Sequence, residues 1–130
     1  MNKIWILLVF LLPACIYEWG DARLKIINRT NHEISFDYNI DTVPKYPSTK
    51  RDRPITYVGD TSHVPENRDN WPSALERSNN KKLNLFIYNI DSLKKYNDID
   101  LLIQKGIYQR FSYSREELEK SNWTVTVTDR

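Results

Sequence analysis

Cysteine occurs once, histidine twice and glycine three times in these 130 residues, and each scarcity closes off some chemistry. A lone cysteine, Cys15, cannot form an intrachain disulfide, so the fold must be held by its core. The sequence has no Gly-rich phosphate loop and no Gly-x-Ser-x-Gly nucleophile elbow. His32 and His63 sit at no metal-ligand spacing from each other or from a cysteine. Asp60 and Glu66 lie near His63, but a solvated loop histidine is the plainer reading. Asp98-x-Asp100, with Asp91 nearby, lacks the glycine and distal glutamate of a calcium loop, and helix capping accounts for it. Glu116 and Glu117 adjoin at a helix start and point in different directions, which suits the helix dipole and not a glycosidase pair. The expectation is a non-enzyme with no catalytic residue, metal or cofactor.

Net charge is also small. Nineteen Lys and Arg against 17 Asp and Glu give +2, without the concentrated basic surface that nucleic acid calls for. The densest basic cluster, Lys50-Arg51-Asp52-Arg53, is interrupted by an acid and reads as a solvated loop.

A long hydrophobic run is missing as well. Ile4–Leu12 holds nine apolar residues before Pro13, and Glu18 and Asp21 follow. A membrane span needs about 20. A positive flank at Lys3, a short apolar run and the small residue Ala14 are instead the parts of a secretory signal. Leu12-Pro13-Ala14-Cys15 resembles the bacterial lipobox, whose cysteine is diacylated on sulfur and becomes the new N-terminus. That resemblance implies a signal peptide over residues 1–14, palmitate-type acylation at Cys15, a tether over 15–22 and one domain over 23–130. Cleavage of fourteen residues from 130 would leave 116, the size of one ordinary domain. Two or three acyl chains hold a protein on a membrane where one does not. Seven residues separate Cys15 from Arg23, a reach under about 30 Å, so the domain is expected to work close to the bilayer. Ile16 in place of an aspartate after Cys15 resembles the pattern of outer-membrane sorting.

Aromatic residues are abundant: eight Tyr, four Trp and four Phe. Arg23–Ile27 is a short strand candidate followed by the turn-rich Asn28-Arg29-Thr30-Asn31. Glu33–Ile40 alternates strictly, with Ile34, Phe36, Tyr38 and Ile40 on one face, so an antiparallel hairpin is expected here. Asp41–Lys82 carries five of the six prolines and offers only Ile55–Val58 as a strand, with a helical turn opening at Ser73. Leu83–Ile90 is apolar on both faces, as a central strand should be. Short helices or turns follow over Asp91–Lys95 and Asn97–Lys105, the second stopping at Gly106. Ile107–Tyr113 reads as a strand and Ser114-Arg115-Glu116-Glu117 as a capping box opening a helix to Lys120. Trp123–Thr128 closes the domain with Trp123, Val125 and Val127 inward, Trp123 against Phe86 or Leu85. The fold expected is mainly β, an antiparallel β-sandwich with one to three short helices in its connections. A two-layer α+β arrangement, with the helices on one face, is the alternative.

The C-terminal half, with Phe86, Asp91, Leu93, Tyr96, Tyr108, Leu118 and the closing Asn122-Trp123-Thr124, resembles small envelope lipoproteins of Bacteroidetes. Asn70-Trp71-Pro72 fits the same pattern. The resemblance implies a lipid-anchored protein of the bacterial envelope and brings no assigned activity. Two binding functions then compete. In one, the proline-rich region engages an envelope protein partner, with Arg51, Arg53, Tyr57 and Trp71 as the candidate surface. In the other, Tyr46, Tyr57 and Trp71 stack on a glycan.

Overall fold

The computed structural model describes residues 20–39, 44, 54–66 and 68–130. Its elements in chain order are β1 (Asp21–Asn28), β2 (Ile34–Asn39), β3 (Ile55–Thr56), β4 (Thr61–Glu66), α1 (Trp71–Arg77) and β5 (Lys82–Asn89). There follow α2 (Ile90–Tyr96), α3 (Ile99–Gln104), β6 (Gln109–Ser114), α4 (Arg115–Lys120) and β7 (Thr124–Val127). The strands form a three-stranded sheet, β4-β1-β7, and a four-stranded sheet, β3-β2-β5-β6. The mainly β, sandwich-type architecture expected from the alternation is present.

Period-two burial explains how the sheets meet. Leu24 and Ile26 of β1, Val64 of β4 and Val125 and Val127 of β7 share one core with Ile34 and Phe36 of β2 and Leu83, Leu85 and Ile87 of β5. Trp71 and Leu75 of α1, Leu118 of α4 and Trp123 complete it. Trp123 shares this core with Leu85, whereas Phe86 points to the opposite face of β5 and belongs to a second cluster. There Phe86, Tyr88 and Leu102 are buried, and Leu93, Tyr96, Ile99 and Ile103 of α2 and α3 pack against them. Both faces of β5 are apolar because each faces a different layer. Four helices form among the described residues, and the pair α2–α3, which the sequence reading treats as connections, covers a sheet face.

The expected hairpin between the first two long strands does not form. β1 pairs with β4 antiparallel and with β7 in parallel, while β2 pairs with β3 and β5 in the other sheet. Alternation marks a strand with one buried face, and it is satisfied equally by a neighbour in the same sheet or by a partner across the core. The side chain of Asn28 decides between them. Its amide donates to the carbonyls of His32 and Thr56 (2.8 and 3.0 Å) and accepts from the N–H and hydroxyl of Thr30 (3.0 and 2.7 Å). The buried amide thus fixes residues 28–32 as an arch that carries the chain from one sheet to the other.

Two helix ends use the same stop. Gly106 (φ +67°) and Asn122 (φ +52°) are left-handed, and the N–H after each returns to the helix, Ile107 to Leu102 at 2.9 Å and Trp123 to Leu118 at 2.6 Å. Together with the bonds Gly106 to Ile103 and Asn122 to Glu119, these are Schellman motifs with their usual apolar pair. The α4 start is the capping box expected at Ser114 and Glu117. For α1 the cap is Asn70, whose side chain accepts from the Ser73 N–H, three residues before the Ser73 start expected from sequence. β4 was not expected. Its Pro65 is tolerated because β4 is an edge strand.

Candidate functional site

A cleft opens at the end of the sandwich where β1 and β5 begin and β2 and β4 finish. It encloses about 690 Å³, within the range of ligand-binding clefts. Eight of its ten lining residues, Glu66, Arg68, Trp71, Ala74, Leu75, Arg77, Ser78 and Lys82, come from the stretch Asp41–Lys82 singled out by its prolines; the others are Tyr38 and Leu83.

Trp71 forms the floor. It is the first residue of α1, which places it over the gap between the sheets, and it is 2% exposed. Its backbone N–H donates to Asp21 Oδ2 (2.9 Å) and its indole Nε1 to the Val64 carbonyl (3.0 Å), so both donors are used within the fold. Burial acts to raise the Asp21 carboxyl, and hydrogen bonds from the Arg23 guanidinium and the Trp71 N–H outweigh it, leaving the group below its ordinary value. Tyr38, the last inward residue of β2, meets the Trp71 ring edge-on at 5.1 Å and remains 41% exposed. Burial raises the Tyr38 phenol and the nearby Glu66 charge raises it further. Glu66 ends β4 and is 9% exposed; its Oε1 accepts from the Arg68 N–H at 3.0 Å. Arg77 is tied to Asp69 at 3.1 Å on the rim. The Ser78 hydroxyl accepts from the Lys82 N–H; the Lys82 ammonium makes no ion pair among the described residues, although its charge reaches Glu117, which the Ser114 N–H first and Lys82 further hold below the ordinary carboxyl value.

Trp71 needs correcting as a surface residue. Its ring is core and presents no open face for a sugar or a partner to stack on. Tyr57 is exposed, at 56%, but it follows β3 at the arch end of the sandwich, far along the strands from Trp71. Ile55 and Val58 are exposed beside it. Tyr57 and Trp71 are therefore not brought together. Arg51, Arg53, Tyr46 and Cys15 lie outside the described residues. Sequence reasoning missed Tyr38, Glu66, Arg68, Arg77 and Lys82. A usable signal existed for Tyr38: it ends the inward series Ile34, Phe36, Tyr38, and a hydroxyl-bearing ring at the last inward position marks where a sandwich opens.

The residues considered for metals have other employment. Asp98 caps α3 through a bond from the Asp100 N–H (2.8 Å), and His63 stands exposed on β4. No group of three metal-binding side chains gathers among the described residues. A smaller cleft of about 400 Å³ at the arch end is lined by His32, Tyr108, Gln109 and Asp129 among others. His32 and Asp129 serve the arch and the chain end, His32 Nδ1 lying 3.5 Å from Asp129 Oδ1, while the buried Oε1 of Gln109 has no hydrogen-bond partner among the described residues. No family model matches the chain, and no curated protein or solved structure matches it.

Proposed function

We propose that the protein is a lipid-anchored, non-enzymatic interaction module of the bacterial envelope that recognises a protein partner at the Tyr38–Trp71–Leu83 cleft.

 The observation that carries this reading is the cleft's composition: an aromatic and aliphatic floor, one inset carboxylate and a cationic rim, drawn from the proline-rich stretch between the sheets. Such groups bind and orient a partner. The anchor rests on the lipobox-like Leu12-Pro13-Ala14-Cys15 and on the resemblance to Bacteroidetes envelope lipoproteins. The two features bear on each other. Asp21, six positions after Cys15, holds the Trp71 N–H at the cleft's own end of the sandwich, so a lipidated Cys15 would keep that end within about 20 Å of the bilayer. The partner is then a protein at the membrane surface, in the outer membrane on the reading of Ile16. A glycan is the weaker choice, because the burial of Trp71 removes one of the three proposed stacking rings and Tyr57 stands at the opposite end.

Site-specific photocrosslinking of the lipidated full chain in its native membranes tests this. A photoreactive residue at Ala74, on the cleft wall, should give a discrete protein adduct that Lys82→Glu weakens. The same probe at Thr126, exposed on β7, should give none. Equal adducts at both positions, or adducts only from probes on α2 and α3, would move the recognition surface elsewhere.

A further inference from the structure

Glu66 brings a carboxylate into the wall of this cleft. Its residue is nine-tenths buried, yet its carboxylate receives one hydrogen bond among the described residues, from the Arg68 N–H to Oε1. No cation among the described residues lies within ion-pair distance of it. A carboxylate set into the cleft wall with a single hydrogen bond attracts a positive group that enters beside it. The surroundings suit one. Tyr38 turns a partly open ring toward the same cleft, and the electron-rich face of an aromatic ring attracts a desolvated cation.

The rim adds a second requirement. Arg77 is paired with Asp69, whereas Arg68 and Lys82 make no ion pair among the described residues, Lys82 feeling Glu117 only from beyond ion-pair distance. These two cations repel a ligand that carries positive charge alone and attract one that also carries a negative group. We infer that the cleft binds a zwitterionic element, its cation at Glu66 and Tyr38 and its anion at Arg68 and Lys82, supplied by a partner's Lys or Arg side chain next to an Asp or Glu. This rests on the reading of the cleft as a protein-recognition site. A peptide is favoured over a lipid headgroup of the same chemistry because the cleft continues past the charges over Ala74, Leu75 and Leu83, where neighbouring side chains of a peptide would lie.

Fluorescence anisotropy on the full lipidated chain in non-ionic micelles tests the inference with labelled peptides Gly-Lys-Asp-Gly, Gly-Lys-Lys-Gly, Gly-Asp-Asp-Gly and Gly-Leu-Leu-Gly. The Lys-Asp peptide should bind tightest. Glu66→Gln, which keeps an acceptor for the Arg68 N–H, should weaken it by roughly thirtyfold, the usual loss when one partner leaves a desolvated charge pair. Lys82→Glu should weaken it by a smaller factor, and thermal unfolding of both variants should match the wild type. Equal binding of the Asp-Asp peptide, undiminished binding by Glu66→Gln, or no binding of any peptide overturns the inference. Glu66-dependent binding of phosphoethanolamine without binding of the Lys-Asp peptide also overturns it, in favour of a lipid headgroup. If the Ala74 crosslink persists in Glu66→Gln, the recognition cleft stands and only its zwitterion chemistry falls. Absence of that crosslink in the wild type removes the cleft reading itself.

Discussion

Replacing Trp123 by alanine and, separately, by glycine should invert the order of stability that these two residues normally show. Trp123 is 6% exposed within the main core, and the Arg23 guanidinium lies 5.3 Å from its ring centroid. Truncating such a ring to alanine removes its packing and leaves a cavity, a loss of about 3–5 kcal/mol. The backbone adds a separate term. Trp123 follows left-handed Asn122 and is left-handed itself, at φ +56°, a conformation that disfavours any residue with a β-carbon by about 1–2 kcal/mol. Tryptophan and alanine both bear that strain; glycine does not. Elsewhere in an element glycine is worse than alanine by about 0.5–1 kcal/mol. Here Trp123→Gly should be the more stable variant, by about 1 kcal/mol. Urea unfolding followed by far-ultraviolet circular dichroism measures both without relying on tryptophan emission. A loss below about 1 kcal/mol for Trp123→Ala would take the ring out of the core. A glycine variant less stable than the alanine variant would refute the backbone argument.

Asn28→Ala should cost about 3 kcal/mol or more in the same assay, because it strips partners from the His32 and Thr56 carbonyls and from Thr30 inside the arch; a loss under about 1 kcal/mol would mean that the arch holds without it. The Asp21 carboxyl lies below its ordinary value near 3.8 in the fold, so its stabilisation is present above about pH 4 and is lost as pH falls through the folded value. Asp21→Asn should flatten that acid limb of a stability–pH curve, and an unchanged limb would contradict the assignment. The Tyr38 phenol, raised by burial and by Glu66, should titrate above 10 by ultraviolet absorbance and move down in Glu66→Gln; no movement would separate the two side chains. Cys15→Ser should end palmitate incorporation and release the chain from membranes, and a wild-type chain that takes up no palmitate would remove the lipoprotein reading.

How much could be read in advance varied with how local the cause was. The capping box at Ser114 and Glu117, the stop at Gly106 and the inward set Trp123, Val125 and Val127 depend on neighbours a few residues apart, and the sequence pattern carries them. The two-sided apolar run of β5 identified the central strand, although it did not reveal that α2 and α3 form the second covering layer. The arch was hidden because Asn28-Arg29-Thr30-Asn31 has the residues of a hairpin turn; its function depends on Thr56, twenty-eight positions away from Asn28. β4 was obscured by Pro65, which an edge position excuses. For the site, the choice of Asp41–Lys82 pointed to the stretch that lines the cleft, while Trp71 proved to be the floor beneath it. The charged residues that shape the cleft, Glu66, Arg68 and Lys82, are ordinary in sequence and acquire meaning only when β4, α1 and β5 converge.

Amide hydrogen exchange of the lipidated full chain, compared between native membrane vesicles and purified protein in detergent micelles, tests the recognition cleft most directly. Partner binding should slow exchange in vesicles over residues 66–83, which run from the end of β4 through α1 into β5, and leave residues 90–105 of α2 and α3 unchanged. Protection confined to α2 and α3, or identical exchange in both settings, would contradict the account.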